Sequence, residues 1–222
     1  MYSNCINIIN IMSIAVSELQ NAHKPKAYPT WIDAVICINL STRQDRKQKM
    51  LNNFPYQFYF YTADPHNDPV IGCKQSHYNC IAWAKQQQYQ NVLIIEDDVQ
   101  VVKDLNLYTP SIPESFDMFY LGGICLSVYG AWFQPWTKGR FVCLHAYIVN
   151  QRFYDVILQT IDNEVTNVPV DVLIANKLHE YNECYMVTEP LCIQTEGYSD
   201  IEKRTKWIQF NWPKAGEMCN VP

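Results

Sequence analysis

The sequence predicts an α/β fold: one domain built on a mostly parallel central sheet flanked by helices. Three observations carry that expectation. Apolar runs such as "DAVICINL" (33–40) are continuous rather than alternating, as in strands buried on both faces. Helix-prone polar stretches separate those runs in βαβαβ order through the first half, which favours parallel pairing. Charged residues gather just after two strand ends, where open α/β sheets collect ligands. With 222 residues, 48% hydrophobic and 18% charged, the chain can bury a core of its own.

After the first strand, "TRQDRKQKMLNNF" is polar and suited to a surface helix, and "YQFYFYTA" (56–63) is a strand rich in aromatics. "DPHNDPVIG" carries two prolines and ends in Gly72, which predicts a loop. The helix expected at 73–88 places Cys73, His77, Cys80, Ile81 and Ala84 on one face. "VLII" (92–95) is a short buried strand that ends at the acids "EDD", and "VQVV" resumes an extended pattern. "FDMFYLGG" (116–123) is a buried strand closed by two glycines, and "SVYGAWFQPWTKGR" (127–140) is irregular and heavy in aromatics. There Trp132, Phe133 and Trp136 suit either stacking on acceptor sugar rings, the favoured reading, or capping of the core. A strand at 141–150, helices at 151–161 and 168–181, and an extended segment at 184–194 complete the pattern, with Pro169 in the first helical turn where a missing N–H costs little. Residues 1–30 form an N-terminal extension or helix, 31–205 the domain and 206–222 a tail.

The formal charge of −5, without a Lys/Arg-rich block, argues against nucleic acid and against a polybasic membrane patch, while leaving room for peripheral membrane contact. Nine cysteines without a CxxC pair fit buried free thiols in a reducing compartment. No apolar stretch is long enough to span a bilayer, and the first residues lack the basic segment of a signal peptide, so a cytoplasmic location is expected. The sequon Asn39-Leu40-Ser41 falls at a strand end, where a glycan would obstruct packing.

Glu96, Asp97 and Asp98 are three adjacent acids whose mutual repulsion raises their pKa values unless a cation sits among them. A divalent ion such as Mn²⁺ or Mg²⁺ takes hard oxygen ligands together with substrate phosphates; a solvated turn is the plain alternative. Arg43 and Arg46, three apart after the first strand, share a helix face and could meet phosphate, or equally a solvated helix start. Cys73, His77 and Cys80 have the spacing of zinc ligands, but with no fourth ligand nearby, packed thiols beside a hydrogen-bonded histidine are the better reading. The acid spacing lacks the DxDx[TV] pattern of haloacid-dehalogenase phosphatases, and neither a P-loop nor GxGxxG occurs.

Taken in order, "INLSTRQDR", "IGCKQSHYNCIAWA", "VLIIEDDV", "DMFYLGG", "HAYIVNQRFYDVIL", "VPVDVLI" and "EPLCIQTEGYSDI" resemble glycosyltransferase family 25, which contains lipooligosaccharide and collagen hydroxylysine galactosyltransferases. The resemblance implies a GT-A type nucleotide-sugar-binding domain. It implies inverting transfer of a hexose, galactose or glucose favoured, from a UDP-sugar to a hydroxyl of a glycan or hydroxylysine-type acceptor. In that frame Asp97 and Asp98 hold Mn²⁺ or Mg²⁺, and Glu96 lies behind them or against the ribose. Asn39, Leu40, Arg43 and Arg46 line the nucleotide pocket, and Ser76 and His77 close it. Gln194 and Ser199 approach from the C-terminal side. Asp171 is the candidate general base, with Asp200 second and an ordinary helix N-terminal acid as the alternative for Asp171. A non-catalytic nucleotide-sugar or glycan-binding relative is the competing class, which would be marked by loss of the acids or of Asp171.

Overall fold

A computed structural model describes residues 26–129, 135–199 and 204–206 of the chain. The first half follows the expected alternation: β1 (Ala34–Leu40), α1 (Gln44–Asn53), β2 (Tyr59–Ala63), α2 (Pro69–Gln86), β3 (Asn91–Glu96) and a short β4 (Val99–Val101). After a 3-10 segment at Leu105–Ser111 come β5 (Met118–Tyr120), β6 (Ile124–Val128), β7 (Trp136–Val142) and β8 (Ala146–Asn150). They are followed by α3 (Tyr154–Asp162), α4 (Val170–Lys177), β9 (Cys184–Val187), β10 (Cys192–Gln194), β11 (Gly197–Ser199) and β12 (Arg204–Lys206).

Eight strands make the main sheet, in the order β2-β1-β3-β8-β5-β9-β7-β6. The β2-β1-β3 portion is parallel, as the βαβαβ pattern requires, and β5 also pairs parallel with β9. The remaining neighbours are antiparallel, and of these only β6 and β7 are joined directly, by a short connection that leaves no room for a crossover helix. Both faces are covered, which explains the continuous apolar runs. Along β1, Ala34 and Ile36 face one core with α2, α3 and α4, while Val35 and Cys37 face a second core with Met50 of α1 and the aromatics Phe54, Phe58 and Phe60. Buried Leu93 and Ile95 belong to the second core and Ile94 to the first, the same period-two division on β3.

Three local expectations need correction. The segment expected as a loop up to Gly72 is already helical from Pro69. Asp68 caps α2 by accepting the N–H of Val70 at 2.9 Å, and Pro69 takes the first position, where its lost donor is harmless. The aromatic segment is not irregular to 140, since β7 starts at Trp136. The single strand expected at 141–150 is broken: β7 ends at Val142, Cys143 takes φ 72°, and β8 begins at Ala146. Trp136 stacks edge-on against Tyr185 at 4.8 Å and packs on the second core, so it caps the core rather than offering a free platform; Trp132 and Phe133 lie outside the described residues.

The described cysteines 37, 73, 80, 125, 143, 184 and 192 are free thiols. Burial pushes the thiols of Cys80 and Cys192 up to about 12, which leaves them inert. Among the described residues no helix is long and apolar enough to cross a membrane.

Candidate active site at the carboxyl ends of the parallel strands

The last residues of β1, β2 and β3 (Leu40, Ala63 and Glu96) open onto one cleft of about 390 Å³. The first turns of α2 and α4 reach the same space with Val70, Pro169 and Asp171. Parallel strands must end together, and helices that pack back along them start beside those ends, so the connectivity itself gathers the distant motifs.

Asp97 and Asp98 form the floor of the cleft, only 6% and 8% exposed. Arg46 spans both, donating from Nη1 to Asp97 Oδ1 at 2.8 Å and to Asp98 Oδ2 at 3.1 Å. The amide of Asn39 donates to the other Asp97 oxygen at 2.7 Å, and Gln194 Nε2 donates to Asp98 Oδ2 at 3.0 Å. Asp98 Oδ1 is buried and receives no donor among the described residues. Burial raises the Asp97 carboxyl against the pull of Arg46 and Asn39. Burial and then the Glu96 charge push Asp98 up to about 7, which Gln194 and Arg46 only partly offset. Arg46 keeps its charge more firmly than usual: burial works against it, but Asp97 and Asp98 outweigh that. One guanidinium therefore does not fully compensate this pocket, whose carboxylates still favour added positive charge.

Glu96 is separated from its two neighbours. It is the last residue of β3, and its carboxylate turns to α2 and approaches His77 Nε2 at 3.4 Å, while Asp97, in the turn that follows, faces Arg46. His77 is 1% exposed, and its Nδ1 lies 2.9 Å from the Tyr147 hydroxyl. Ser76 lines the cleft with its hydroxyl donating back to the Gly72 carbonyl at 2.8 Å.

Asp171 stands in the first turn of α4. Its Oδ2 accepts the Cys143 N–H at 3.1 Å and its Oδ1 that of Val172 at 2.9 Å. The left-handed Cys143 backbone is what aims that N–H, and a strained non-glycine residue held beside a polar side chain is typical of functional sites.

Leu40, Arg43, Arg46, Ser76, His77, Glu96, Asp97, Asp98, Asp171 and Gln194 thus share one cleft. Arg43 also bonds Asp45 through Nε and Nη2 at 3.1 Å. Asn39 lies beneath the cleft, 1% exposed, so it acts on the pocket through Asp97 rather than by touching a ligand, and a glycan on its amide is incompatible with this fold. Ser199 belongs to the β11–β12 ribbon, whose Gly197 lines the cleft, and Asp200 lies outside the described residues. Two lining residues had no motif to reveal them. Thr195 clamps the Asp98 carbonyl with its N–H at 2.8 Å and its hydroxyl at 2.9 Å, and buried His145 leads into β8. The only sequence signal for Thr195 was its place next to Gln194. Gly122, in the glycine pair after β5, permits this packing: a Cβ there would stand 2.1 Å from the Cys192 carbonyl and 2.8 Å from His145 Nε2.

No family model matches the chain, and no curated protein is significantly similar to it. The resemblance to glycosyltransferase family 25 therefore stands on the sequence blocks themselves. Among solved structures, A197 from STIV is similar at 12% identity over 78% of this chain and 92% of its own, with a TM-score of 0.44. A glycosyltransferase involved in the glycosylation of the major capsid of PBCV-1 is similar at 9% identity over 65% of this chain and 75% of its own, with a TM-score of 0.42. Likenesses this distant leave the chemistry to be argued from the residues of this chain.

Proposed function

We propose that the protein is a metal-dependent inverting glycosyltransferase of GT-A type, moving a hexose from a UDP-sugar to a hydroxyl of a glycan or hydroxylysine-type acceptor. The observation that carries this reading is the pair Asp97 and Asp98 after the end of β3, undercompensated by Arg46 and with the buried Asp98 Oδ1 left without a donor among the described residues, in the same cleft as the Asp171 carboxylate. The residues fit Mn²⁺ or Mg²⁺: Asp98 Oδ1 is a buried oxygen that receives no donor among the described residues, and Asp97 stands next to it already shared by Arg46 and Asn39. When bound, such an ion neutralises charge on the departing UDP.

The other steps fall to the chain itself. Arg43 and Arg46 attract the diphosphate, and the first turn of α2 presents its positive dipole end to the same cleft. Gln194 and Thr195 hold Asp98 in place through its carboxylate and its carbonyl. Asp171 takes the proton of the acceptor hydroxyl. That oxygen bonds to the anomeric carbon from the face opposite UDP, the carbon–oxygen bond to UDP breaks, and its electron pair leaves on the β-phosphate, which inverts the centre. Non-catalytic nucleotide-sugar binding is the second reading, favoured by one observation: both Asp171 oxygens already accept backbone N–H groups, as a purely structural acid would.

The test is UDP release from UDP-galactose and UDP-glucose with saccharide and hydroxylysine-peptide acceptors. It is run with Mn²⁺ or EDTA, on the wild type and on Asp98→Ala. Turnover abolished by both treatments is expected. Turnover that survives both would remove the metal from the mechanism, and donor binding without turnover over the whole acceptor panel would leave the binding protein.

A further inference from the structure

The geometry points to a second cation site in this protein, one for a zinc-class divalent ion, built from Cys73 Sγ, His77 Nε2 and the Glu96 carboxylate. These donor atoms all lie within 4.8 Å of one another. His77 Nε2 and Glu96 Oε1 stand 3.4 Å apart, close to the spacing of about 3.3–3.5 Å that two ligands at about 2.0–2.1 Å subtend in a tetrahedral zinc shell. Cys73 and His77 sit one turn apart on α2, so one helix face presents both, and the end of β3 supplies the carboxylate from a different element. Cys80, which shares their spacing, is fully buried in the core and takes no part.

Two further features are those a metal centre needs. The His77 ring is fixed by the Tyr147 hydroxyl at its Nδ1, which leaves Nε2 as the coordinating atom and supplies the outer contact that ligating histidines use. All three residues line the cleft, so an ion has a route in, and water or a substrate oxygen from the cleft can complete the shell. The mixed sulfur, nitrogen and oxygen set selects zinc over Mg²⁺ or Mn²⁺. Cys73 binds as the thiolate, and its proton and any proton on His77 Nε2 pass to solvent. The site is separate from Asp97 and Asp98, which turn to Arg46, and it does not depend on the transferase reading.

The test uses the full chain, metal-free and without nucleotide. Titration with Zn²⁺ by calorimetry should give one equivalent bound. Titration with Co²⁺ should give a near-ultraviolet thiolate-to-cobalt charge-transfer band that Zn²⁺ displaces. Cys73 is only half-buried, so Cys73→Ser should stay folded by circular dichroism, lose the band and bind Zn²⁺ at least tenfold more weakly. Glu96→Gln should weaken binding yet keep the band, and Asp98→Ala should keep both. A folded wild type that gives no band has only a His77–Glu96 ion pair, and the proposal fails. It fails equally if the band survives Cys73→Ser, or is abolished instead by Cys143→Ser, the other half-buried thiol of the cleft.

Discussion

Asp171 is held by the Cys143 N–H at 3.1 Å and the Val172 N–H at 2.9 Å, two bonds that fix its plane at the cleft wall. Asp171→Asn keeps the shape but removes the proposed proton acceptor. The expected outcome is a fall in kcat of about 10²–10⁴ with UDP binding unchanged. Equal losses of donor binding and melting temperature would instead make Asp171 a structural cap. Arg46 tests the opposite side of the cleft, because it alone bridges the two buried carboxylates in the described structure. Arg46→Met should destabilise by about 3–5 kcal/mol, the usual cost of leaving buried charge uncompensated, and a divalent cation should recover part of that loss. Both are measured by urea titration with and without Mn²⁺. An Arg46→Met protein as stable as the wild type would mean the acids are already neutral.

The elements show what the sequence could and could not reveal. Continuous apolar runs disclosed β1 and β3, since residues buried on both faces leave no polar alternation, and the order of strands and helices disclosed their parallel pairing. The start of α2 was hidden because Pro69 and Gly72, ordinarily breakers, sit where a helix tolerates them: the first position, and a point where a Cβ would meet His66 Cβ at 2.9 Å. Asp68, which caps it and also accepts from Asn167 Nδ2 at 2.5 Å, was the informative residue. Asp68→Ala should cost about 1 kcal/mol, read as a fall of about 2–4 °C in melting temperature; no change would mean solvent caps the helix equally well. The break between β7 and β8 was equally hidden. Nothing in "RFVCLHAYIV" marks a left-handed residue, because the conformation at Cys143 is imposed by packing and by the bond to Asp171 rather than by local preference. Cys143→Gly should therefore stabilise the protein by about 1 kcal/mol while keeping the N–H that Asp171 uses.

For the whole molecule, the strand-end rule was enough to bring together residues from 40 to 194, but not to assign the charges inside the cleft. Three adjacent acids look equivalent in sequence. In the fold Glu96, the last residue of β3, faces His77 while Asp97 and Asp98, in the turn that follows, face Arg46, a division set by where the strand ends and by which helix packs on each side. That division has a measurable effect on stability. Asp98 moves from its ordinary value of 3.8 up to about 7 on folding, facing Arg46, Gln194, Asp97 and Glu96. The folded state therefore holds more protons than the unfolded chain between those values, and this carboxylate's contribution weakens as pH rises through the window. Asp97 acts in the same direction. His145 and His179 act oppositely, since burial lowers both and stability from their neutral rings is lost as pH falls below about 6.5. The raw melting curve thus mixes both signs, and the Asp98→Asn variant isolates one. Its melting temperature relative to wild type should rise from pH 5 to about pH 7 and level off by about pH 8, a gain of several degrees at about 2–4 °C per kcal/mol. On the proposed reading Mn²⁺ competes with the proton for Asp98, so it should raise the wild-type value more at pH 8 than at pH 5 and have little effect on the variant. Parallel melting profiles for the two proteins across this range, with or without Mn²⁺, would mean that Asp98 is charged throughout and that Arg46 is all the cation this cleft requires.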